Sequence, residues 1–117
     1  MTTKTPFSLS GKVAVITGFG SPKNALSNGG AIARLFAQQG AFIEGLDISA
    51  EDAQNTVEAI TMAGGRAFFT SGNATVEADI KTWIKSVLQR HGRIDILINN
   101  VGQSERLTPE DADTNIW

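Results

Sequence analysis

The feature that most constrains this chain is an alternation of short apolar runs with helical patterns, repeated from Val13 to Ile98. Val13-Ala14-Val15-Ile16 is apolar at every position, which suits a strand covered on both faces. After a long loop, Ile32, Leu35, Phe36 and Gln39 recur at helical spacing, and Gly40 ends the helix. Ala41 to Leu46 reads as a second strand, ending at Asp47. Ser49 caps a helix with Ala53, Val57 and Ile60 on its apolar face, closed by Gly64-Gly65. Ala67 to Thr70 makes a third strand. The pattern Val76, Ile80, Trp83, Ile84, Val87, Leu88 is the strongest helical signal, and Trp83 reads as core. Gly92 ends that helix, and Ile94 to Ile98 is a fourth strand. Thr108-Pro109-Glu110-Asp111 has the composition of a further helix start. Such alternation predicts an α/β fold: a parallel sheet of four strands, ordered 3-2-1-4, with right-handed crossovers and helices on both faces.

Composition narrows the function classes. With 117 residues, 41% hydrophobic and 19% charged, the chain fits one globular unit. A net charge of −2 without a basic cluster gives no electrostatic footprint for nucleic acid. Cysteine is absent, which excludes disulfides, thiolate catalysis and Cys-based metal sites. The stretch Met1 to Phe7 has no apolar signal region, and no segment reaches membrane-spanning length, so a cytoplasmic protein without a membrane partner is expected. Asn73-Ala74-Thr75 matches the glycosylation acceptor pattern, which without a secretory signal is read as chance.

The loop between the first strand and helix, "TGFGSPKNALSNGG", carries the first functional signal. Glycines at such a turn let backbone approach a pyrophosphate, and the helix N-terminus aims unpaired N–H groups at it. An acidic residue roughly 20 positions on, at the end of the second strand, grips the ribose hydroxyls. Asp47 lies too far from Gly18 for that register but keeps it with Gly29. The surplus therefore lies inside the loop, and the turn reads as a nucleotide cradle rather than a plain connection. Asn99-Asn100-Val101-Gly102 follows the fourth strand, and Gly72-Asn73-Ala74 the third, where a parallel sheet meets its ligand crevice. A strand-ending turn and a helix-capping segment are equally good readings of these two stretches taken singly.

"GKVAVITG", Asp47 after strand two, and "GRIDILINNVG" together resemble the short-chain dehydrogenase/reductase family, from Leu9 onward. The resemblance implies the N-terminal half of a Rossmann-type, doubly wound NAD(P)-binding domain covering residues 1–117. "NNVG" is similar to the family's NNAG turn. The family's TGxxxGxG is matched by Thr17-Gly18, with Ser27-Asn28-Gly29 on its final Gly-x-Gly after a five-residue insertion. The longer loop resembles the divergent enoyl-reductase branch, and Asn73 stands where the family has an adenine-contacting Asp. The cofactor-binding residues so implied are Gly18, Gly20, Ser27, Asn28, Gly29, Asp47, Ile48, Asn73, Ala74, Asn100, Val101 and Gly102. NAD(H) is the expected cofactor, because Asp47 repels a 2′-phosphate and Ile48 and Ser49 supply no compensating base. Lys23 in the inserted loop keeps NADP(H) open.

The catalytic half is another matter. The family moves hydride with the help of a Tyr-x-x-x-Lys pair and a nearby Ser, and this sequence has no tyrosine. Its lysines, Lys4, Lys12, Lys23, Lys81 and Lys85, all lie upstream of that pair's place. Ser104 comes too soon after Gly102 to be the family's Ser. His91 reads as a favourable charge at a helix C-terminus, and Glu110, Asp111 and Asp113 as first-turn helix charges. No catalytic or metal residue is therefore assigned. The expectation is a shortened oxidoreductase, whose complete form acts on a carbonyl or secondary alcohol and is a homo-oligomer. The alternative is a non-catalytic nucleotide-binding or interaction module ending at Trp117. A flavodoxin-like mononucleotide binder would not need Asp47. Strand four, if left as an apolar sheet edge, invites pairing with other chains. The 117-residue chain is thus expected to be aggregation-prone or marginally folded, with little dehydrogenase activity. A sharp cooperative melt of a clean monomer, or turnover with any alcohol, would contradict this.

Overall fold

The computed structural model describes residues 8–100. Its elements alternate as the sequence pattern predicts: β1 (Val13–Thr17), α1 (Asn28–Gln38), β2 (Phe42–Asp47), α2 (Ala50–Met62), β3 (Arg66–Ser71), α3 (Glu77–His91) and β4 (Ile96–Ile98). The sheet order is β3-β2-β1-β4, and every pairing is parallel. The expected helix start at Thr108 lies outside the described residues.

β1 is the centre because all five of its residues are buried. Successive side chains point to opposite faces, so each face receives half of them. Ala14 and Ile16, with Ile43 of β2, pack with Ala33 of α1 and with Ala53 and Ile60 of α2. Val13 and Val15, with Leu46 of β2, pack with Trp83 and Val87 of α3. Trp83 is core as expected, at 1% exposure. Burying a side chain of the Val or Ile class stabilises by roughly 1.5–3 kcal/mol, so these two layers supply most of the driving force.

Three details depart from the sequence pattern. β4 begins at Ile96, not Ile94. At that end Asp95 N–H donates to the Val13 carbonyl at 2.9 Å, while Val13 N–H donates to Asp95 Oδ2 at 2.8 Å. A side-chain oxygen thus takes the place of a strand carbonyl, and ladder pairing starts at Ile96, two residues later than expected. Leu35, counted with the apolar face of α1, is 54% exposed; Ile32, Ala33, Phe36 and Ala37 make the contact. Leu88 at the end of the α3 stripe is also exposed, at 44%.

β2 carries a charge where its neighbours are apolar. Glu44 is fully buried on the α3 side. Arg90 reaches it with two hydrogen bonds, Nε to Oε2 at 2.8 Å and Nη2 to Oε1 at 2.9 Å. His91 Nε2 lies 2.8 Å from the same Oε2. The Arg90 guanidinium also covers the Phe68 ring at 4.3 Å, and the His91 ring meets Phe42 at 4.4 Å. The Glu44 hydrogen bond raises the Arg90 pKa against the cost of burial. His91, read from sequence as a helix-end charge, is therefore also a partner of Glu44.

Two outcomes are expected. Arg90→Ala leaves a buried carboxylate with one partner fewer and should cost roughly 3 kcal/mol by urea unfolding. Replacing Glu44 and Arg90 together by Met should recover most of that loss. Asp95 is held below the usual carboxylate range, first by the Arg93 hydrogen bond and then by the Val13 N–H. Because the folded pKa is lowered, its contribution is complete above the unfolded carboxylate range and disappears as acid protonates the folded state. The urea midpoint should therefore fall less steeply between about pH 5 and about pH 3 in Asp95→Asn than in the parent chain.

Candidate functional site

The carboxyl ends of β1 and β4 meet the start of α1 at backbone distance. Thr17 Oγ1 donates to Asn99 Oδ1 at 2.9 Å and accepts from Asn100 N–H at 2.8 Å. Asn100 Nδ2 in turn donates to the Gly18 carbonyl at 3.2 Å. Gly18 has a φ of 62°, and a side chain there would meet Asn100 O at 2.6 Å. A Cβ on Gly29 would run into the Gly18 carbonyl and the Asn100 amide. Glycine is thus required at both positions by close packing, and Gly18, Gly29 and Asn100 meet in one place.

The loop between them is closed by hydroxyls. Ser27 is the N-cap of α1: its Oγ accepts from Gly30 N–H at 2.9 Å and donates to the Gly20 carbonyl at 2.7 Å. Alanine at such a cap costs typically about 1 kcal/mol. The first turn of α1 has no acidic residue, and the N–H groups of Asn28 and Gly29 meet no acceptor among the described residues. The helix therefore presents the partial positive charge that suits an anion.

Asp47 ends β2 beside this loop. Its Oδ2 accepts from Gly20 N–H and its Oδ1 from Ser49 N–H, each at 2.9 Å. Each oxygen keeps a second lone-pair direction for a hydroxyl. Ile48 beyond it is 72% exposed.

Asn73 follows Gly72, whose N–H donates to the Asp47 carbonyl at 3.0 Å. Asn73 Oδ1 accepts from Thr75 N–H at 2.9 Å and Thr75 Oγ1 at 2.6 Å, and its own N–H donates to Asp79 Oδ2 at 2.8 Å. Those bonds order the turn that precedes α3, whose N-cap is Val76 and has no side-chain cap hydrogen bond. Ala74 packs against the cluster containing Trp83. Val101 and Gly102 lie outside the described residues, as does Ser104.

Sequence reading missed what fastens the loop. Thr56 Oγ1 donates to the Phe19 carbonyl at 2.9 Å, and Asn55 Nδ2 to the Ser21 carbonyl at 2.9 Å. Ser21 N–H donates to the Asp52 carbonyl at 3.1 Å. The Phe19 ring is fully buried over Gly45. A signal was present: Thr56 is polar within the apolar stripe of Ala53 and Ile60.

The arrangement can hold an anion at α1 and hydroxyls at Asp47. No group of three or more described His, Cys, Asp or Glu side chains is disposed to hold a metal ion. No described helix is long and apolar enough to cross a membrane.

Comparison with known proteins agrees with this geometry. The family model described as short chain dehydrogenase matches residues 12–117. An uncharacterized oxidoreductase of Thermotoga maritima is 41% identical over 92 residues, which are 79% of this chain and 34% of that protein. The short-chain dehydrogenase/reductase homolog YusS of Bacillus subtilis is 30% identical over 103 residues, 87% of this chain and 90% of that one. A crystal structure of a short-chain dehydrogenase/reductase from Burkholderia xenovorans superposes with a TM-score of 0.79 at 35% identity, covering 93% of this chain and 43% of its own. A metagenomic short-chain oxidoreductase crystallised with NADP gives 0.71 at 30% identity, covering 92% and 49%. The chain thus spans about a third of the length of the Thermotoga relative.

Gly29→Ala tests the convergence. The added methyl has nowhere to go, and overpacking of this kind costs about 1–3 kcal/mol. Its urea midpoint should fall accordingly. The preceding residue, Asn28, is exposed and serves as the control: Asn28→Ala is expected to change stability by less than about 0.5 kcal/mol.

Proposed function

The chain belongs to the short-chain dehydrogenase family, and from that premise we propose that it is the NAD(H)-binding part of an oxidoreductase acting on a carbonyl or a secondary alcohol. The supporting observation is the joining of the glycine loop, the α1 N-terminus and Asp47 in one place. Bound NAD(H) would supply or accept the hydride. Asn28 and Gly29 N–H groups would hold its pyrophosphate, and Asp47 its adenosine ribose hydroxyls. Asn100 would hold the loop end rather than touch the reacting atoms. With no tyrosine in the sequence, these residues bind and orient but move no proton, so the chain alone is inactive. A cytoplasmic homo-oligomer with a small-molecule substrate is the matching context, and residues 1–117 are the N-terminal part of one NAD(P)-binding domain.

NAD(H) is preferred over NADP(H) because of charge. Two negative groups about 4 Å apart at an effective dielectric near 20 repel by roughly 4 kcal/mol. Asp47 would impose that on a 2′-phosphate, and the exposed Ile48 beside it offers no counter-charge. Dissociation constants for NAD(H) and NADP(H) test the assignment. NAD(H) should bind at least about tenfold tighter, or about 1.4 kcal/mol. Asp47→Asn, which keeps an oxygen acceptor but removes the charge, should narrow the gap. A preference for NADP(H) that Lys23→Ala abolishes would overturn it.

A further inference from the structure

Pro22 to Leu26 stands outside the site described above. Its ends are drawn together by two serines: Ser27 N–H donates to Ser21 Oγ at 3.1 Å, and the two hydroxyls are 3.1 Å apart. Inside it, Ala25 N–H donates to the Pro22 carbonyl at 3.3 Å. The stretch is therefore a compact turn, not an extended tether. It faces the bodies of α1 and α2 and encloses with them a cavity of about 290 Å³, whose lining includes Ser21, Lys23, Asn24, Arg34, Asn55 and Thr56.

Lys23 comes to this cavity from the loop and Arg34 from α1. Neither has a carboxylate partner among the described residues, and no Asp or Glu lines the cavity. The other described arginines are occupied: Arg90 and Arg93 pair with carboxylates, and Arg66 covers the Phe42 ring. Two unpaired cations on one hollow are out of keeping with a chain of net charge −2. An anion in this hollow would meet positive charge from both sides. A guanidinium fork and an ammonium together suit a phosphate, which accepts bidentate and point-charge contacts at once. Asn24 and Asn55 add amides for hydroxyl groups.

We propose that this cavity binds a small molecule bearing a phosphate monoester, between Lys23 and Arg34 and apart from the dinucleotide crevice. Its volume lies near the lower end for small-molecule pockets, enough for a phosphorylated compound of sugar size and too little for a whole dinucleotide. The same phosphate chemistry could come from the 2′-phosphate of NADP(H). Position favours a separate ligand: Arg34, Asn55 and Ala59 line the cavity from within the helices, whereas Asp47 is the last residue of β2. This inference does not depend on the NAD(H) assignment.

The test titrates the full 117-residue chain with ribose 5-phosphate, ribose and 2′-AMP, following amide resonances by NMR. Ribose 5-phosphate should shift residues 22–26 and the Asn55 side-chain amide, leave Gly18 and Asp47 in place, and bind equally well with saturating NAD. Ribose should shift nothing. Lys23→Ala and Arg34→Ala, both at exposed positions, should each weaken binding roughly tenfold without changing the melting curve. Absence of any shift with ribose 5-phosphate overturns the proposal. So does binding that ignores Arg34→Ala, or loop shifts seen only with 2′-AMP and lost on adding NAD. That last pattern would make the loop a reader of the cofactor's own phosphate.

Discussion

The close approach of Gly18, Gly29 and Asn100 governs the rest of the site. One strand end, one helix start and the segment leaving β4 share a space in which a single methyl group does not fit. Because backbone touches backbone there, α1 begins directly over the end of β1, with its unpaired N–H groups at the sheet's carboxyl edge. Thr17 makes the contact specific by bonding Asn99 with its hydroxyl proton and Asn100 through its oxygen. The helix dipole is thereby aimed at a fixed point rather than at solvent in general.

Around that point the architecture was legible from the chain. Strand order followed from alternation and crossover handedness, and β1 was recognisable as central because nothing in Val13 to Ile16 is polar. Asp47 could be placed from its distance to Gly29. What the pattern did not reveal was cross-chain pairing. Glu44 sits in an apolar run, and nothing local says that Arg90 and His91 will arrive at its carboxylate from the far end of α3. Thr56 and Asn55 likewise read as ordinary helix residues until the loop folds onto them. Asn73 adds a local pairing of the same kind: its side-chain oxygen accepts from Thr75 two residues on.

The two faces of the sheet divide the labour accordingly. The side covered by α1 and α2 carries the fastened loop and the cavity beneath it. The side covered by α3 carries the buried ion cluster, which binds β2 to the last turn of that helix. A buried carboxylate with two partners contributes little net stability compared with an apolar side chain, but it tolerates only one placement of those partners. In this chain it ties the last turn of α3 to β2, beside the apolar contacts of Trp83 and Val87.

The two backbone N–H groups held by Asp47 have an evolutionary consequence. The residue proposed to read the ribose is also a strut, joining the glycine loop at Gly20 to the α2 cap at Ser49. Exchanging this aspartate for a residue without a side-chain acceptor would release both amides at once, and asparagine would keep only one, loosening the cradle that a new cofactor needs. Descent toward another dinucleotide is therefore epistatic here: the strut must first be rebuilt from another acceptor, or the carboxylate kept and its charge outweighed from the side.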